Sequence, residues 1–287
     1  MRVVVYQQPT NRRSGITCAA MLTGIRRLQG PNAVKVISSA QYVSPQHDVA
    51  VFYGLHGRLT SVMAAYSKDP QRRAVYMDLG YFGRREGGKL FGYHKISVDS
   101  RHPTAYFQNR QHSDSRWKRF KVKVRDWRPE APNSPIILAG MGPKGASFEG
   151  YNPGEWEAEA VRIMRKHTAR PIIYRPKPNW PNAPQIPGAT YTRPDSIKLD
   201  DQIRGAHAIV SHHSNANIEA MVLGVPSFTE GGVGSLVSLS DLAHIETPYM
   251  PAAREQFLAD LAYTQWSVSE MADGQAWRYL RDEGLVP

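Results

Sequence analysis

Short β-branched runs alternate with amphipathic stretches along the chain, and this alternation constrains its fold more than any other feature. In the first half, residues 2–6, 33–37, 48–53 and 74–79 have the composition of buried strands. Residues 17–28 carry apolar side chains at helical spacing. Because strand–helix–strand units build parallel sheets covered by helices, the chain is predicted to be an α/β protein.

The same alternation restarts after a proline-rich stretch at residues 129–135, which we interpret as a linker. Further strands are predicted at residues 136–139, 171–174, 208–211 and 226–229. Two halves of similar architecture joined by a linker indicate two domains.

The charge balance of the 287-residue chain is strongly basic. Its 36 Lys and Arg residues against 25 Asp and Glu residues give a net charge of +11. This excess serves solubility or attracts a polyanionic partner such as a nucleotide or a nucleic acid. The single cysteine, Cys18, excludes an internal disulfide. No apolar run approaches the ~20 residues that span a bilayer, and we expect a cytoplasmic monomer without a membrane partner.

A glycine-rich loop follows the predicted strand at residues 136–139. Gly140, Gly142 and Lys144 belong to a formal G-x-G-x-x-G match, a pattern whose backbone N–H groups bind phosphate. The next helix is predicted to begin only near residue 154, which leaves a plain turn as the alternative interpretation.

The strand after this loop ends in two cations, Arg175 and Lys177. A dinucleotide site would instead carry an acidic residue there to hold the ribose. The two cations therefore indicate phosphate binding, and they keep an NADP-dependent oxidoreductase among the alternatives.

Residues 208–228 carry the most specific pattern in the sequence. A predicted strand runs into a polar turn made of His212, His213, Ser214 and Asn215. Ser214 or Asn215 can cap the helix that begins there, whose free N–H groups then face a ligand at the carboxyl end of the strand. Glu219 lies one turn into this helix, within reach of a ribose hydroxyl, and Gly224 ends the helix.

This segment resembles the donor-binding half of GT-B glycosyltransferases, in which a helix with Glu-Ala-x-x-x-Gly-x-Pro follows a His/Ser-rich turn. Glu219-Ala220 and Gly224-Val225-Pro226 match that pattern. The resemblance implies that Glu219 holds the ribose of a nucleotide sugar and that the turn faces the diphosphate. It also implies that the Gly140 loop and Arg175 lie on the same face. It covers roughly residues 135–287, since the N-terminal half matches only in its α/β alternation.

The resemblance implies a fold of two Rossmann-like domains of the GT-B type. Residues 1–130 would form the acceptor-binding domain and residues 131–250 the domain that binds the nucleotide sugar. C-terminal helices at residues 251–287 would cross back to the first domain. Residues 263–267 and Ala276-Trp277 also resemble C-terminal segments of phage-encoded proteins of this type.

Other interpretations of the turn remain open. His212-His213 is alternatively a structural hydrogen-bonded pair or a fragment of a metal site, and Glu219 is alternatively a solvated helix residue. The sequence offers no third ligand at metal spacing and no Asp-x-Asp. We therefore predict a nucleotide sugar, UDP-activated, as co-substrate, with no metal site and with a divalent metal permitted but not required.

An inverting sugar transfer needs a base that takes the proton of the acceptor hydroxyl. The candidates are polar residues near predicted strand ends in the first half: Asp78, then Asp99, then His56. Each is alternatively a residue that caps a turn. A retaining mechanism would need no such base.

Residues 116–128 interleave aromatic with cationic side chains. The candidates for nucleic-acid contact are Arg116, Trp117, Lys118, Arg119, Lys121, Lys123 and Arg125. Residues 121–125 alternate like an edge strand with one cationic face, and phosphate contact combined with stacking suits nucleic acid. The alternative is a solvated strand edge protected by charge.

These features predict a glycosyltransferase that moves a sugar from a UDP-sugar to a hydroxyl acceptor. The specific hypothesis is a hydroxymethylated base in phage DNA, flipped out of the stack, which would place the protein in the host cytoplasm. The alternatives are a transferase that builds a surface polysaccharide and a non-enzymatic nucleic-acid-binding protein.

Overall fold

The chain divides into two compact units. The structure is a computed structural model, and it describes residues 1–88, 90–106, 110–129 and 131–287. The first unit comprises Met1–Phe120 together with Ala259–Pro287, and the second comprises Lys121–Leu258. Glu130, in the predicted linker, lies outside the described residues. The first unit is therefore built from two separate stretches of chain and the second from one.

Strands and helices alternate through both units. The strands are β1 (Val3–Gln7), β2 (Val34–Ser38), β3 (Val49–Tyr53), β4 (Arg73–Leu79), β5 (Tyr93–Val98), β6 (Ile136–Ala139), β7 (Ile172–Arg175), β8 (Thr190–Tyr191), β9 (Ala208–Ser211), β10 (Ser227–Thr229) and β11 (Gln265–Ser267). The α-helices are α1 (Arg12–Gln29), α2 (Leu59–Ser67), α3 (Ser115–Arg119), α4 (Pro143–Glu149), α5 (Glu155–Met164), α6 (Leu199–Arg204), α7 (Ala216–Val222), α8 (Arg254–Ala262), α9 (Val268–Ala272) and α10 (Gln275–Asp282). Among the described residues, no helix is long and apolar enough to cross a bilayer.

The sheet of the first unit has the order β11-β5-β4-β3-β1-β2. Strands β1 to β4 pair in parallel, whereas β5 is antiparallel to β4 and β11 is antiparallel to β5. One face buries Met21 and Ile25 of α1 with Trp277 of α10 in a single apolar cluster. The expected return of the C-terminal helices to the first domain is confirmed, and the tail also contains the short strand β11, which we did not predict.

The sheet of the second unit is parallel, with the order β10-β9-β6-β7-β8. Strand β6 lies at its centre, with β7 on one side and β9 on the other. Ile137, Tyr174 and Phe228 are among its fully buried side chains. The strand order reverses beside β6, and ligands of open α/β sheets bind in the crevice that such a reversal opens at the carboxyl ends of the strands.

The helix predicted to begin near residue 154 is present as α5, but the expectation that no helix precedes it is wrong. Helix α4 begins at Pro143, inside the loop, whereas we expected the first helix only near residue 154. Proline suits the first position of a helix, because its fixed φ is already helical and no intrahelical hydrogen bond needs its N–H. The glycine loop is thus followed at once by a helix N-terminus.

The predicted edge strand at residues 121–125 is also wrong. Residues 121–129 form neither a helix nor a strand. Arg125 N donates to Val222 O at 2.9 Å and Arg128 N donates to Gly224 O at 2.8 Å, so the segment is held at the end of α7. The alternation of half-buried valines with exposed cations arises here without a partner strand.

Residues 121–129 approach the backbone of Gly224 closely, so a side chain at this position would not fit. Gly224 has a φ of +74°, and a Cβ there would overlap the carbonyl oxygen of Asp126. We expect Gly224→Ala to lower the free energy of unfolding by about 2–3 kcal/mol, because a left-handed non-glycine residue costs ~1–2 kcal/mol before any backbone overlap. Urea unfolding followed by circular dichroism measures the change.

Gly205→Ala is the matched control for this substitution. Gly205 also follows a helix of the second unit, but its φ is −88° and a Cβ there would lie 3.7 Å from Gln202 O. Equal, small losses of stability in the two variants would contradict the prediction.

Candidate functional site

The polar loops of the second unit gather at one edge of its sheet. Because β6, β7, β9 and β10 are parallel, the loops that follow them all leave from that edge. They begin at Gly140, Pro176, His212 and Glu230. The residues predicted to bind the sugar donor therefore belong to neighbouring loops: the glycine loop, the loop that contains Lys177, and the histidine turn.

The glycine loop after β6 lies against the loop after β7. A Cβ on Gly142 would lie 3.5 Å from Lys177 Cγ. Met141 N donates to Glu157 Oε1 at 2.6 Å, so this amide is used inside the protein. The first-turn amides of α4 follow the loop, and the first amides of a helix have no intrahelical partner. An anion at this edge would therefore meet the start of α4 rather than Met141.

The two predicted lysines of the site differ in their surroundings. Lys177 is half-buried, and its Nζ donates to Ser214 Oγ at 3.4 Å, which connects the loop after β7 to the turn after β9. Lys144 is exposed, with its Nζ 5.7 Å from the centre of the Phe148 ring. Since an ammonium group carries three N–H donors, Lys177 can bind an anion while it keeps its contact with Ser214.

Arg175 is buried and braces the structure around it. Its Nη1 donates to Gln202 Oε1 at 2.9 Å and its Nη2 donates to Pro194 O at 2.8 Å. Burial lowers the pKa of Arg175, and the negative charge of Glu219 opposes that shift. The charge of Glu219 therefore acts on Arg175. Through its two hydrogen bonds, Arg175 holds the loop before α6 in place.

His212 and His213 face each other, and their Nδ1 atoms are 2.9 Å apart. His213 Nδ1 lies 3.8 Å from Oε1 of Glu149, the last residue of α4. On the other side of the His212 ring, Nε2 lies 3.7 Å from Glu230 Oε2. Trp156 Nε1 donates to Glu230 Oε1 at 2.7 Å. The histidine pair is thus held between two carboxylates.

The rest of the turn is held by hydroxyl groups. Ser211 Oγ accepts a hydrogen bond from Ser214 N and donates one to Asn217 Oδ1, both at 3.1 Å. Ser214 Oγ accepts from Ala216 N at 3.3 Å. Asn215 occupies the N-cap position of α7 with a helical backbone and no side-chain cap. Of the two predicted capping residues, Ser214 is the one whose side chain binds the start of α7.

In the first unit, Asp78 lies at the carboxyl end of β4. Its carboxylate accepts hydrogen bonds from Tyr76 OH at 2.7 Å and from Leu79 N at 2.8 Å. Lys95 occupies the facing position on β5, and its Nζ donates to Arg101 O at 3.0 Å. Burial lowers the pKa of Lys95, and the charge of Asp78 opposes this shift. Asp78 is therefore a half-buried, fixed carboxylate beside a cation.

The other two candidate bases lie in different places. Asp99 stands beside the start of β4, where its Oδ1 accepts from Ala74 N at 2.7 Å and its Oδ2 lies 3.6 Å from Arg73 Nε. At ~3.3 Å per residue, the four residues from Ala74 to Asp78 separate the two carboxylates by about 13 Å along the strand. His56 follows β3 at the same edge of the sheet as Asp78. It is exposed and lines a cleft of about 430 Å³ with Gln8.

The predicted nucleic-acid surface is not one continuous face. Arg116 and Trp117 are buried, at 6% and 9% exposure. Arg116 forms a two-pronged pair with Glu270, Nη1 to Oε1 at 3.0 Å and Nη2 to Oε2 at 3.1 Å, and its guanidinium carbon lies 3.9 Å from the centre of the Trp266 ring. The remaining predicted contacts are exposed: Lys118, Arg119, Lys121, Lys123 and Arg125.

Sequence reasoning missed Glu149 and Glu230, which contact the histidine pair. Glu230 directly follows β10. The rule that strand ends of a parallel sheet share an edge could have found it. Glu149 ends a helix that we did not predict, so no spacing in the sequence pointed to it.

No family model and no curated protein matches this chain. Two solved structures match it over most of their length. The β-Kdo 2,7 transferase of KpsC from Thermosulfurimonas dismutans has a TM-score of 0.57 at 11% identity, covering 97% of this chain and 99% of that one. The β-Kdo 2,4 transferase of the same KpsC has a TM-score of 0.56 at 10% identity, covering 93% and 92%.

At such low identity, the likeness shows a shared fold. The protein is a two-domain, Rossmann-like α/β protein of the GT-B type, as the resemblance of residues 208–228 implied.

Proposed function

We propose that this protein is a glycosyltransferase that takes a sugar from a nucleotide-sugar donor and transfers it to a hydroxyl acceptor. The observation that carries the proposal is the joining of three strand-end loops in the second unit. Gly142 lies against Lys177, and Lys177 contacts Ser214 beside the histidine pair. A helix N-terminus, a half-buried cation and imidazole groups thus line one sheet edge, an arrangement that favours the phosphate of a nucleotide sugar.

The chemistry follows from where charge develops. When the bond between sugar and phosphate breaks, negative charge grows on the leaving phosphate. Lys177 and the amides at the start of α4 would stabilise that charge. Glu219 would accept hydrogen bonds from the ribose hydroxyls. Asp78 of the first unit would take the proton of the acceptor hydroxyl in an inverting transfer.

The acceptor that we favour is a hydroxyl group of a saccharide. The names of the two similar structures give the transferred sugar, Kdo, and not the acceptor, so the choice of acceptor rests on the basic residues 116–125. A DNA acceptor has less support, because Arg116 and Trp117 are buried and the cationic strand is not formed. Incubation with labelled sugar donor and either oligosaccharide or hydroxymethylated DNA distinguishes the two acceptors by mass spectrometry.

Loss of the Lys177 ammonium should weaken donor binding. A hydrogen bond to a charged group contributes ~1.5–3 kcal/mol, so we expect Lys177→Ala to raise the Kd of the nucleotide by about 10–100-fold. Calorimetric titration with UDP, GDP, CMP and dTDP, and with their sugar conjugates, measures the change and identifies the base.

Lys166→Ala is the control, because Lys166 is an exposed lysine of the same unit. It should bind nucleotide as the unaltered protein does. If none of the nucleotides or nucleotide sugars binds the unaltered protein, the proposed function is wrong. If one binds equally well to both variants, the phosphate does not lie at Lys177.

A further inference from the structure

We propose that Glu149, His212 and His213 form a binding site for a divalent transition-metal ion such as Zn²⁺. One ligand atom from each side chain lies within 4.8 Å of the other two. Two imidazole nitrogens with one carboxylate oxygen form a donor set that suits Zn²⁺ and its neighbours in the first transition row. Mg²⁺ and Ca²⁺ prefer oxygen ligands and fit this set poorly.

The distances are close to those of a metal centre. Two ligands at ~2.0–2.1 Å from a common ion, separated by roughly 90–110°, are about 3–3.5 Å apart. The Nδ1 atoms of His212 and His213 are 2.9 Å apart, and His213 Nδ1 is 3.8 Å from Glu149 Oε1. The first separation is about 0.1 Å below that range and the second about 0.3 Å above it. A proton shared between the two rings would also account for the first distance, and titration with Zn²⁺ distinguishes it from a metal site.

The surroundings of His212 have the arrangement of a second coordination shell. Metal-binding histidines commonly direct the other ring nitrogen at a carboxylate, which fixes the ring and raises its basicity. Nε2 of His212 lies 3.7 Å from Glu230 Oε2, and Trp156 holds that carboxylate through its Nε1 at 2.7 Å. The backbone is fixed as well, since His212 O accepts hydrogen bonds from Gly231 N and from Thr229 Oγ1, both at 2.7 Å.

The three side chains of the site are largely buried, but each keeps some exposure to solvent. The side chains of His213 and Glu149 are 19% and 22% exposed, and that of His212 is 11% exposed. Three protein ligands leave a tetrahedral ion one open position, as in catalytic zinc sites. Gly145 borders the site, because a Cβ on it would lie 3.5 Å from His213 Nε2. The ion would therefore add positive charge beside the start of α4.

This inference does not rest on the proposed function, because metal binding is measured without any nucleotide. Untagged protein is dialysed against a chelator, and Zn²⁺ is titrated in by calorimetry, with Co²⁺ as a spectroscopic probe of nitrogen ligation. We expect one ion per chain and a visible Co²⁺ absorption band. His213→Ala and Glu149→Gln should each weaken binding by at least about 10-fold.

His244→Ala is the matched control, since His244 is an exposed histidine of the same unit, 57% accessible and 4.0 Å from Asp241. It should bind Zn²⁺ unchanged. Thermal unfolding of the metal-free variants shows that each is folded, and Glu149→Gln retains the size of the side chain if His213→Ala is unstable. Absence of binding, or equal binding in all variants, would overturn the site. Nucleotide titrations of the metal-free protein test the proposed function separately.

Discussion

Replacing Arg116 with alanine is expected to destabilise the first unit by about 3–5 kcal/mol. This is the usual cost of removing one partner of a buried ion pair. Glu270 would keep only the longer contact to the exposed Arg119, whose Nη1 lies 3.5 Å from Oε1. Arg116 binds both oxygens of Glu270 and donates to Gln265 O at 2.9 Å, and its guanidinium stacks on Trp266. Glu270 also closes the capping box of α9 with Ser267, so the loss would reach the start of that helix.

Chemical unfolding followed by tryptophan fluorescence measures this effect, with Lys118→Ala as the control. Lys118 is two residues away, but its side chain is 72% exposed and pairs with Asp114 at the surface, so its loss should change stability by less than about 0.5 kcal/mol. The double variant Arg116→Met with Glu270→Leu removes both charges and should recover part of the loss. Equal stability of Arg116→Ala and Lys118→Ala would show that the buried pair contributes nothing.

Replacing Asp78 with asparagine is expected to lower kcat by about 10²–10⁴-fold, the usual contribution of a general base. Asparagine keeps the size of the side chain and a carbonyl oxygen that can accept from Tyr76 OH or Leu79 N. It removes the negative charge that takes the acceptor proton. Because the sugar donor is proposed to bind in the second unit, the Kd of the nucleotide should stay unchanged. Steady-state kinetics together with calorimetry separate the two effects.

Asp99→Asn is the matched control for Asp78. Asp99 was itself a candidate base, and its carboxylate also accepts a backbone amide, but it lies beside the start of β4 instead of its end. We expect normal turnover from this variant, with at most a lower stability. Loss of turnover in Asp99→Asn with normal turnover in Asp78→Asn would show that Asp99, and not Asp78, is the general base. Normal turnover in both would point to His56 or to a retaining mechanism.

The α/β fold could be predicted because its signal is local. Each buried strand is a run of apolar, often β-branched residues. In residues 208–228, a strand, a turn and a helix follow one another within about twenty residues, so the pattern is visible in a short stretch of sequence. Helix α4 was not predicted because Pro143 lies in the glycine loop. Proline disrupts a helix interior but is favoured at a helix start, and the sequence alone does not say which position it occupies.

The sequence could not show side-chain contacts between residues that are distant along the chain. Arg116 lies in a basic stretch that looks solvated, and only the fold brings Glu270 to it. Lys121 and Lys123 alternate with valines as an edge strand does, yet no strand forms there. Glu149 likewise reaches His213 only through the packing of α4. Side-chain function at these positions is decided by tertiary contacts that no periodicity encodes.

Strand β11 belongs to the sheet of the first unit but follows the second unit in the sequence, and this order affects how the protein folds during synthesis. Met1–Phe120 is translated before the second unit, whereas Trp266, Met271 and Trp277 of the same apolar cluster are translated after it. Until then, the edge of β5 lacks its neighbour and can pair with other chains. The second unit is continuous and can complete its core earlier. The apolar cluster of the first unit can therefore be completed only after residues 259–287 are translated, and we expect removal of these residues to destabilise the first unit.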